Sequence, residues 1–469
     1  MNICFNSRPS FHKYTPKIFL DIQKRYDKDV NGVFVVTNNK ETELVRQTYP
    51  EALTYETSAY LRAHWHDFSF EKFCEYEKKY DCAPLWKYIY TDRFLINRDY
   101  NYVVKVTCGL FSFFEMLFNK HHIDIYYSET IATLQCYVAY LVGKKTGTKY
   151  YGQTGGRGFD STHVYVMNDP FNKIVLMDED YMKEEYSHDE MSQAKEFLDN
   201  FIAKETKPAY MLVTGKKPKL KLSYIKLIGE RLLKRFDSKY NDPCSYMYYE
   251  SYKRSTDPIK FYFRYQYCKK YYHKADLTKK YVLYPLHFQP EASTCVCAQK
   301  YEKQLFFIDS WAKSLPADTM LYVKEHYAIL GHREVSFYKE LRKYPNVVLI
   351  DPWESTRELI KHAEAVTTLT GTAGWEAMLM RKPVFIGGNV FFETAPGVIK
   401  VEDMYDHYLD NLSKWTKPTE DELLRYLCCY MRTLHPGRNW FADSDENINM
   451  IVDSLMEVIK QSSLNKQPK

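Results

Sequence analysis

The sequence has little glycine and no long hydrophobic run. Glycine supplies 17 of the 469 residues, so each glycine cluster marks a place where the backbone must turn or approach another group closely. The best apolar stretch, residues 106–118, is interrupted by Glu115 and is too short to span a bilayer, which favours a buried helix. The chain starts without a basic, then apolar, pattern, so we expect no signal peptide and a cytoplasmic location.

Several motifs of common enzyme classes are also missing. Without GxxxxGK[ST], phosphoryl transfer on a P-loop is disfavoured, and without GxSxG so is an α/β-hydrolase. The 11 cysteines form no CxxC pair and no Cys/His frame, so we predict no metal site and no bound cofactor. The pairs Cys295/Cys297 and Cys428/Cys429 are expected to be packing residues of a protein from a reducing compartment.

Length and composition describe a globular protein of two or three domains. The chain has 469 residues, of which 45% are hydrophobic, 27% charged and 16% aromatic, with 43 tyrosines. Residues 216–280 form a basic, Tyr-rich segment with 18 Lys and Arg against 6 Asp and Glu. Such a segment is typical of a solvated helical linker, of a surface that meets an anionic membrane, or of a site for single-stranded nucleic acid. We expect one of the first two, and no nucleic-acid partner.

Short apolar runs alternate with helical patterns in both halves of the chain. In the first half the runs are 33–37, 123–127 and 149–151, and in the second they are 281–286, 321–324, 347–350, 365–369 and 383–386. This alternation predicts an α/β protein whose two doubly wound, mostly parallel sheets face a central cleft. We predict an N-terminal domain over 1–275, a C-terminal domain over 276–440, and a C-terminal helix in 441–469 that packs back on the N-terminal domain.

The loop after the predicted strand 365–369 is rich in small residues. Gly371 and Gly374 allow close approach of a ligand, and the positive end of the following helix suits a phosphate. Thr370 and Thr372 add hydroxyl groups, and Glu376 could bind sugar hydroxyls. The alternative is an ordinary strand–helix turn with threonine caps.

Polar residues follow two more of the predicted strands. Lys324, His326 and Arg333 come after the strand 321–324, where cations can stabilise a departing phosphate, although surface charges at such a place are common. After the strand 281–286 come residues that suit hydrogen bonding across a cleft or, alternatively, helix capping: His287, Gln289, Glu291, Ser293 and Thr294.

The N-terminal half offers two further candidates. Glu129 follows the strand 123–127, where a carboxylate can serve as a general base or simply favour the start of a helix. Arg157 lies in the glycine-rich stretch 152–158 and is predicted to contact the acceptor.

Together the C-terminal motifs resemble the capsule polysaccharide biosynthesis protein family of bacteria. The resemblance covers residues 278–400 and rests on the segments Pro-Leu-His-Phe-Gln-Pro-Glu-Ala-Ser-Thr (285–294), Val-Lys-Glu-His (323–326) and Gly-Thr-Ala-Gly-Trp-Glu-Ala (371–377). It implies a metal-independent GT-B glycosyltransferase with a nucleotide sugar held mainly by the C-terminal domain. Some relatives use CMP-activated Kdo. Their usual proline after the histidine is replaced by Tyr327, so the donor nucleotide stays open among CMP, UDP and GDP.

We therefore predict a glycosyltransferase that extends a capsule or other surface polysaccharide, with a polysaccharide or glycolipid acceptor, at the inner face of the cytoplasmic membrane. The expected catalytic residues are Glu129, His287 and Glu291. A sugar-nucleotide epimerase or hydrolase of the same fold is one alternative, and a polysaccharide-binding module without enzymatic activity is the other.

Overall fold

The computed structural model describes residues 1–8, 11–156, 162–167, 169–171, 173–174, 180–203, 219–221, 223–401, 408–438 and 442–464. Contacts between Cα atoms divide the chain into two compact units. The first unit comprises Met1–Leu176, Arg231–Lys253 and Thr433–Lys469. The second unit comprises Met177–Glu230 and Arg254–Arg432.

The strands fall into two sheets, one in each unit. In chain order the described strands are β1 (Asn2–Asn6), β2 (Asn31–Val36), β3 (Leu53–Glu56), β4 (Ile125–Glu129), β5 (Lys149–Gly155), β6 (His163–Met167), β7 (Lys280–Pro285), β8 (Thr319–Lys324), β9 (Val347–Ile350), β10 (Ala365–Thr368), β11 (Val384–Ile386), β12 (Val398–Lys400) and β13 (His435–Pro436).

The described helices cover most of the connections between these strands. They are α1 (Tyr14–Arg25), α2 (Asn39–Thr48), α3 (Thr57–His64), α4 (Phe70–Lys79), α5 (Trp86–Ile89), α6 (Tyr100–His121), α7 (Leu134–Thr146), α8 (His188–Ala203), α9 (Ser223–Leu233), α10 (Ser238–Asn241), α11 (Asp257–Cys268), α12 (Ala292–Cys295), α13 (Gln304–Ser314), α14 (Val335–Leu341), α15 (Thr356–His362), α16 (Thr372–Leu379), α17 (Tyr408–Lys414), α18 (Glu420–Arg432) and α19 (Asp445–Leu464). Short 3₁₀ helices lie at Lys234–Phe236, Ser251–Arg254, Lys269–Tyr271, Gln299–Tyr301 and Tyr327–Ile329.

The sheet of the first unit has the strand order β13-β6-β5-β4-β1-β2-β3. Its five strands from β5 to β3 are parallel, whereas β6 and β13 are antiparallel to their neighbours. The core combines Phe5 and Phe34 of the sheet, stacked at 5.2 Å between ring centroids, with Ile22 of α1 and Ile451 of α19. The C-terminal helix α19 thus packs in the first unit.

Helix α6 is long and apolar enough to cross a membrane by length and composition. Asp99 caps its start by accepting a hydrogen bond from the Tyr102 amide at 3.1 Å. Most of its apolar residues, from Val103 to Phe118, are buried against the first unit, as in the core helix of a globular protein. The predicted buried helix over 106–118 is therefore confirmed.

The sheet of the second unit is wholly parallel in the described residues, with the order β12-β11-β10-β7-β8-β9. Its core packs Val282 and Val323 of the central strands against Phe307 and Trp311 of α13. Two sheets, one mostly and one wholly parallel in the described residues, with helical connections confirm the predicted α/β fold class of two doubly wound domains. All five strands predicted in the second half of the chain are present, as β7 to β11.

The two units divide the chain differently from the predicted boundary at residue 275. The segment Met177–Glu230 belongs to the second unit, because α8 packs against α18. Lys195 of α8 pairs with Glu420 at 2.7 Å, and Arg432 of α18 pairs with Glu190 at 2.6 Å. Nothing in the polar composition of α8 indicates which unit it joins.

Candidate functional site

The three C-terminal motifs lie at one edge of the second sheet. The strands β10, β7 and β8 are neighbours, and all three are parallel. Since the carboxyl ends of parallel strands meet at the same edge of a sheet, the loops after these strands are brought together. Residues 287–294 follow β7, Lys324 is the last residue of β8, and Thr370 to Gly374 follow β10.

His287 links the end of β7 to the end of β10. Its Nε2 accepts a hydrogen bond from the Leu369 amide at 3.1 Å and lies 3.0 Å from the Thr368 hydroxyl. Burial, together with the nearby His326 and Arg333, lowers the pKa of His287 to about 3. The neutral ring therefore holds the β10 loop in place, and its Nε2 is occupied by that task.

Gly371 is required by this arrangement. The Thr368 hydroxyl accepts a hydrogen bond from the Gly371 amide at 2.9 Å. A Cβ atom at position 371 would lie 2.8 Å from that hydroxyl oxygen and 3.0 Å from Cε1 of His287. Gly374 is needed for packing, since its Cβ would meet the methyl group of Thr368 at 2.8 Å.

Gln289 is held inside the second unit by a network that sequence analysis missed. Gln304 of α13 accepts a hydrogen bond from the His287 amide at 2.9 Å and donates one to Oε1 of Gln289 at 2.9 Å. Gln289 in turn donates to the carbonyl of Glu302. Both glutamines thereby fix the course of the loop after β7.

The remaining polar residues of this loop lie at the start of the short helix α12, whose N-cap residue Glu291 makes no side-chain hydrogen bond to a helix amide. The exposed Glu291 accepts hydrogen bonds from Ser293 Oγ at 2.8 Å, through its carboxylate, and from Thr294 Oγ1 at 3.1 Å, through its carbonyl. Thr370 donates to the Ser293 carbonyl at 2.9 Å. Ser293 and Thr294 thus bond to Glu291 within the first turn of α12, and the Thr370 hydroxyl joins the two loops.

Arg333 is engaged in a buried ion pair. Its Nε donates to Glu325 at 3.2 Å, and its guanidinium also donates to the His287 carbonyl. Glu325 is fully buried and accepts two more hydrogen bonds, from Tyr338 Oη at 2.6 Å and from the His326 amide at 2.8 Å. Arg333 thus neutralises Glu325, a residue to which sequence analysis gave no separate role although a buried acid at a strand end needs a cation.

Lys324 and His326 are placed differently. Lys324 is only 5% exposed, and its ammonium donates to the Pro352 carbonyl at 3.0 Å, which uses one of its three N–H groups. Burial lowers the pKa of Lys324 to about 8, against the opposing effect of the carboxylates of Glu325, Asp351, Glu354 and Glu376. The helix residue Glu376 therefore lies within electrostatic range of Lys324.

His326 presents a donor. Its Nδ1 accepts a hydrogen bond from the Ala328 amide at 3.2 Å, so the neutral ring carries its proton on Nε2. Burial lowers the pKa of His326 to about 4. A neutral His326 can therefore donate one hydrogen bond through Nε2 to an anion. Thr372 is half-buried and is the first residue of α16, directly after the N-cap residue Gly371.

In the first unit, Glu129 is the last residue of β4, and its carboxylate pairs with Arg8, which follows the neighbouring strand β1. Both side chains are largely buried, at 8% and 13% exposure. Glu129 and Ser128 line a small pocket with Asn6, Tyr14 and Gln153. Sequence analysis missed Arg8, because nothing in the sequence shows that β1 and β4 are adjacent. Arg157 lies outside the described residues.

Comparisons with known proteins place the second unit in a family. The capsule polysaccharide biosynthesis protein family matches residues 180–421, just over half of the chain. Comparison with curated protein sequences finds no match.

Two solved structures with some similarity are distant in sequence. The beta Kdo 2,7 transferase KpsC of Thermosulfurimonas dismutans is 12% identical over 74% of this chain and 89% of its own, with a TM-score of 0.34. A UDP-GlcNAc 2-epimerase of Methanocaldococcus jannaschii, in complex with UDP-GlcNAc and UDP, is 14% identical over 97% of this chain and 99% of its own, with a TM-score of 0.28. On the strength of the family match, this chain belongs to the capsule polysaccharide biosynthesis protein family.

Proposed function

We propose that the chain is a metal-independent glycosyltransferase of the GT-B class, which moves a sugar from a nucleotide sugar to a growing capsule or other surface polysaccharide. The observation that carries the proposal is a pair of hydrogen-bond donors, Lys324 at the end of β8 and His326 two residues later. The Lys324 ammonium is held by a backbone carbonyl, and neutral His326 carries its proton on Nε2. Donors and a positive charge at a strand end suit a departing nucleotide phosphate.

The other predicted residues take supporting parts in this proposal. The first turn of α16 adds the positive end of a helix after β10, and Glu376 binds ribose or sugar hydroxyls. His287 and Arg333 position the loops through the contacts described above.

In the proposed reaction, the bond from the anomeric carbon to the donor phosphate oxygen breaks, and the phosphate keeps the electron pair. A bond from the anomeric carbon to an acceptor hydroxyl oxygen forms, and Glu129 takes up the hydroxyl proton. Glu129 lies beside Arg8, and an ionised carboxylate is the form that accepts a proton. Replacing Glu129 by Gln is expected to remove turnover while leaving nucleotide binding unchanged.

The donor carries CMP, UDP or GDP, and the acceptor is a polysaccharide or a glycolipid at the inner face of the cytoplasmic membrane. A titration of the purified chain with each nucleotide identifies the base. A nucleotide at a hundredfold excess over its Kd raises the free energy of unfolding by about 2.7 kcal/mol. Stabilisation by none of the three would contradict the proposal. Consumption of the donor without any acceptor would favour the epimerase or hydrolase alternative.

Lys324 provides the sharpest test of the phosphate site. We expect Lys324→Met to weaken nucleotide binding about tenfold or more, since a charge-assisted hydrogen bond contributes roughly 1.5–3 kcal/mol. Lys324→Arg should retain part of the affinity. A matched control is Lys343→Met, which removes an exposed lysine of the same unit that pairs with Glu340. Equal affinities of wild type and Lys324→Met would exclude this role.

The affinity should also depend on pH in a defined direction. Because the pKa of Lys324 is lowered to about 8, its ammonium loses its proton as the pH rises through 8 in the nucleotide-free protein. Nucleotide affinity is therefore expected to fall above pH 8, and this fall should be absent in Lys324→Met and in Lys324→Arg. Calorimetric titrations at several pH values between 7 and 10 measure it.

A further inference from the structure

We propose that one face of α9 and the 3₁₀ helix after it lies on an anionic lipid surface. We call this face the docking face and define it by four exposed apolar side chains. They are Ile225, Leu232, Leu233 and Phe236, which are 69%, 45%, 64% and 76% exposed.

The spacing of these residues puts them on one side of the helix. Relative to Ile225 they lie at i+7, i+8 and i+11, which is the spacing of a single helical stripe. Tyr224 and Leu227, which point away from the docking face, are half-buried, as is Ile228 at the edge of that face. No residue that the structure describes in α9 is fully buried. A surface helix of a globular protein normally turns its apolar stripe inward, so this helix presents its stripe the other way.

Nearly all charged residues beside the docking face are positive. Residues 219–236 contain six cations and a single carboxylate, that of Glu230. Glu230 is 3.9 Å from Lys226. The cations are Lys219, Lys221, Lys226, Arg231, Lys234 and Arg235. An exposed apolar stripe flanked by lysine and arginine is the pattern of a helix that lies in the interface of an anionic bilayer.

The rest of the basic, Tyr-rich segment does not share this pattern. Tyr246, Tyr265 and Tyr271 are buried, at 1%, 4% and 6% exposure, so they serve packing. The membrane prediction made for residues 216–280 as a whole is thereby narrowed to α9 and the turn after it. Lys216 and Lys217 lie outside the described residues.

Vesicle binding by the full chain tests the inference without any donor or acceptor, so its outcome is independent of the proposed glycosyl transfer. The probes are vesicles of phosphatidylcholine alone and vesicles with about a third phosphatidylglycerol. We expect wild type to sediment with the anionic vesicles only. The double variant L233N/F236N should lose at least tenfold in partitioning, and K234Q/R235Q should lose several-fold at low salt and less at high salt, because salt screens the charges.

Matched controls come from the same basic segment. Phe263→Asn removes a 60% exposed aromatic ring of α11, and K274Q/K279Q removes two exposed lysines. Both should bind vesicles like wild type. Circular dichroism and urea denaturation check that every variant is folded, which is expected because the substituted side chains are exposed. Failure of wild type to bind anionic vesicles, or wild-type binding by L233N/F236N, would overturn the inference. A change of oligomeric state in L233N/F236N without a change in vesicle binding would instead assign the face to a second copy of the chain.

Discussion

At the end of β10 in the second unit, the Thr368 hydroxyl accepts a hydrogen bond from Gly371 and lies 3.0 Å from His287. At the end of β2 in the first unit, the Thr37 hydroxyl is buried, and it has no hydrogen-bond partner among the described residues. Both side-chain amide atoms of Asn38 and the Nε atom of Arg8 are likewise buried without a hydrogen-bond partner among the described residues.

The hydrogen bonding of these groups shows which of them hold a loop in place and which have no partner in the part of the chain that the structure describes. In the second unit, His287, Thr368 and Arg333 at the strand ends are hydrogen-bonded to neighbouring loops. Lys324 and His326 are also bonded there and keep donors to offer. In the first unit, several buried polar atoms at the strand ends have no hydrogen-bond partner among the described residues, which is uncommon for buried polar groups. Several residues of the recognisable motifs, such as His287 and Gly371, therefore hold a loop in place.

The largest effect is expected from breaking the buried ion pair of the second unit. Arg333→Met leaves the carboxylate of Glu325 buried without its cation, which should lower the free energy of unfolding by about 3–5 kcal/mol. Urea denaturation measures it. Arg264→Met is the control, because its partner Glu334 is 68% exposed and such a pair contributes at most about 1 kcal/mol.

Arg8→Met sharpens the same comparison in the first unit. The Glu129 side chain is 8% exposed whereas that of Glu325 is 0% exposed, so loss of Arg8 should cost less than loss of Arg333. An equal or larger loss would mean that the two strand edges are built alike.

Acid should destabilise the second unit through His287. The folded protein takes up a proton on this ring only near pH 3, since its pKa is lowered to about 3, whereas the unfolded chain does so near pH 6.5. The unfolded form binds more protons in between, so the free energy of unfolding falls as the pH falls below 6.5, by up to about 1.4 kcal/mol per pH unit. His287→Gln is expected to cost about 1–3 kcal/mol at pH 7 and to flatten this slope. Urea denaturation between pH 7 and 4 measures both, and an unchanged slope would contradict the assignment.

Much of the fold was predictable because its signals are local. The strands β7 to β11 are continuous apolar runs bounded by turn residues, and a buried parallel strand needs little more. The predictions omitted β1, β3, β6, β12 and β13. The exposed Leu53 leaves β3 without an apolar run, and β12 has three residues, none of them buried. The strands β1 and β6 are mostly buried, but each has only five residues. The roles within the site were less predictable, because the partners of Arg333 and Glu129 depend on which strands become neighbours.

A matched pair of threonines tests the comparison directly. Thr368→Val removes the acceptor of the Gly371 amide, which should cost about 1–2 kcal/mol. Thr37→Val removes a buried hydroxyl that has no partner among the described residues, so it should be neutral or slightly stabilising. Thermal unfolding of both variants gives the difference. A loss at Thr37 as large as that at Thr368 would show that the Thr37 hydroxyl is already bonded, for instance to water.

The last prediction compares two glycines, one in the loop after β10 and the other at the end of β5. A Cβ atom at Gly371 would lie 2.8 Å from the Thr368 hydroxyl and 3.0 Å from the His287 ring, whereas a Cβ atom at Gly155, the last residue of β5, would meet nothing within 4 Å. Gly371→Ala should therefore displace the groups that hold the β10 loop and cost about 1 kcal/mol or more, with weaker nucleotide binding. Gly155→Ala should leave stability within about 0.5 kcal/mol of wild type. Similar results for the two variants in thermal unfolding and nucleotide titration would show that the close contact between Gly371 and His287 does not determine the position of the loop after β10.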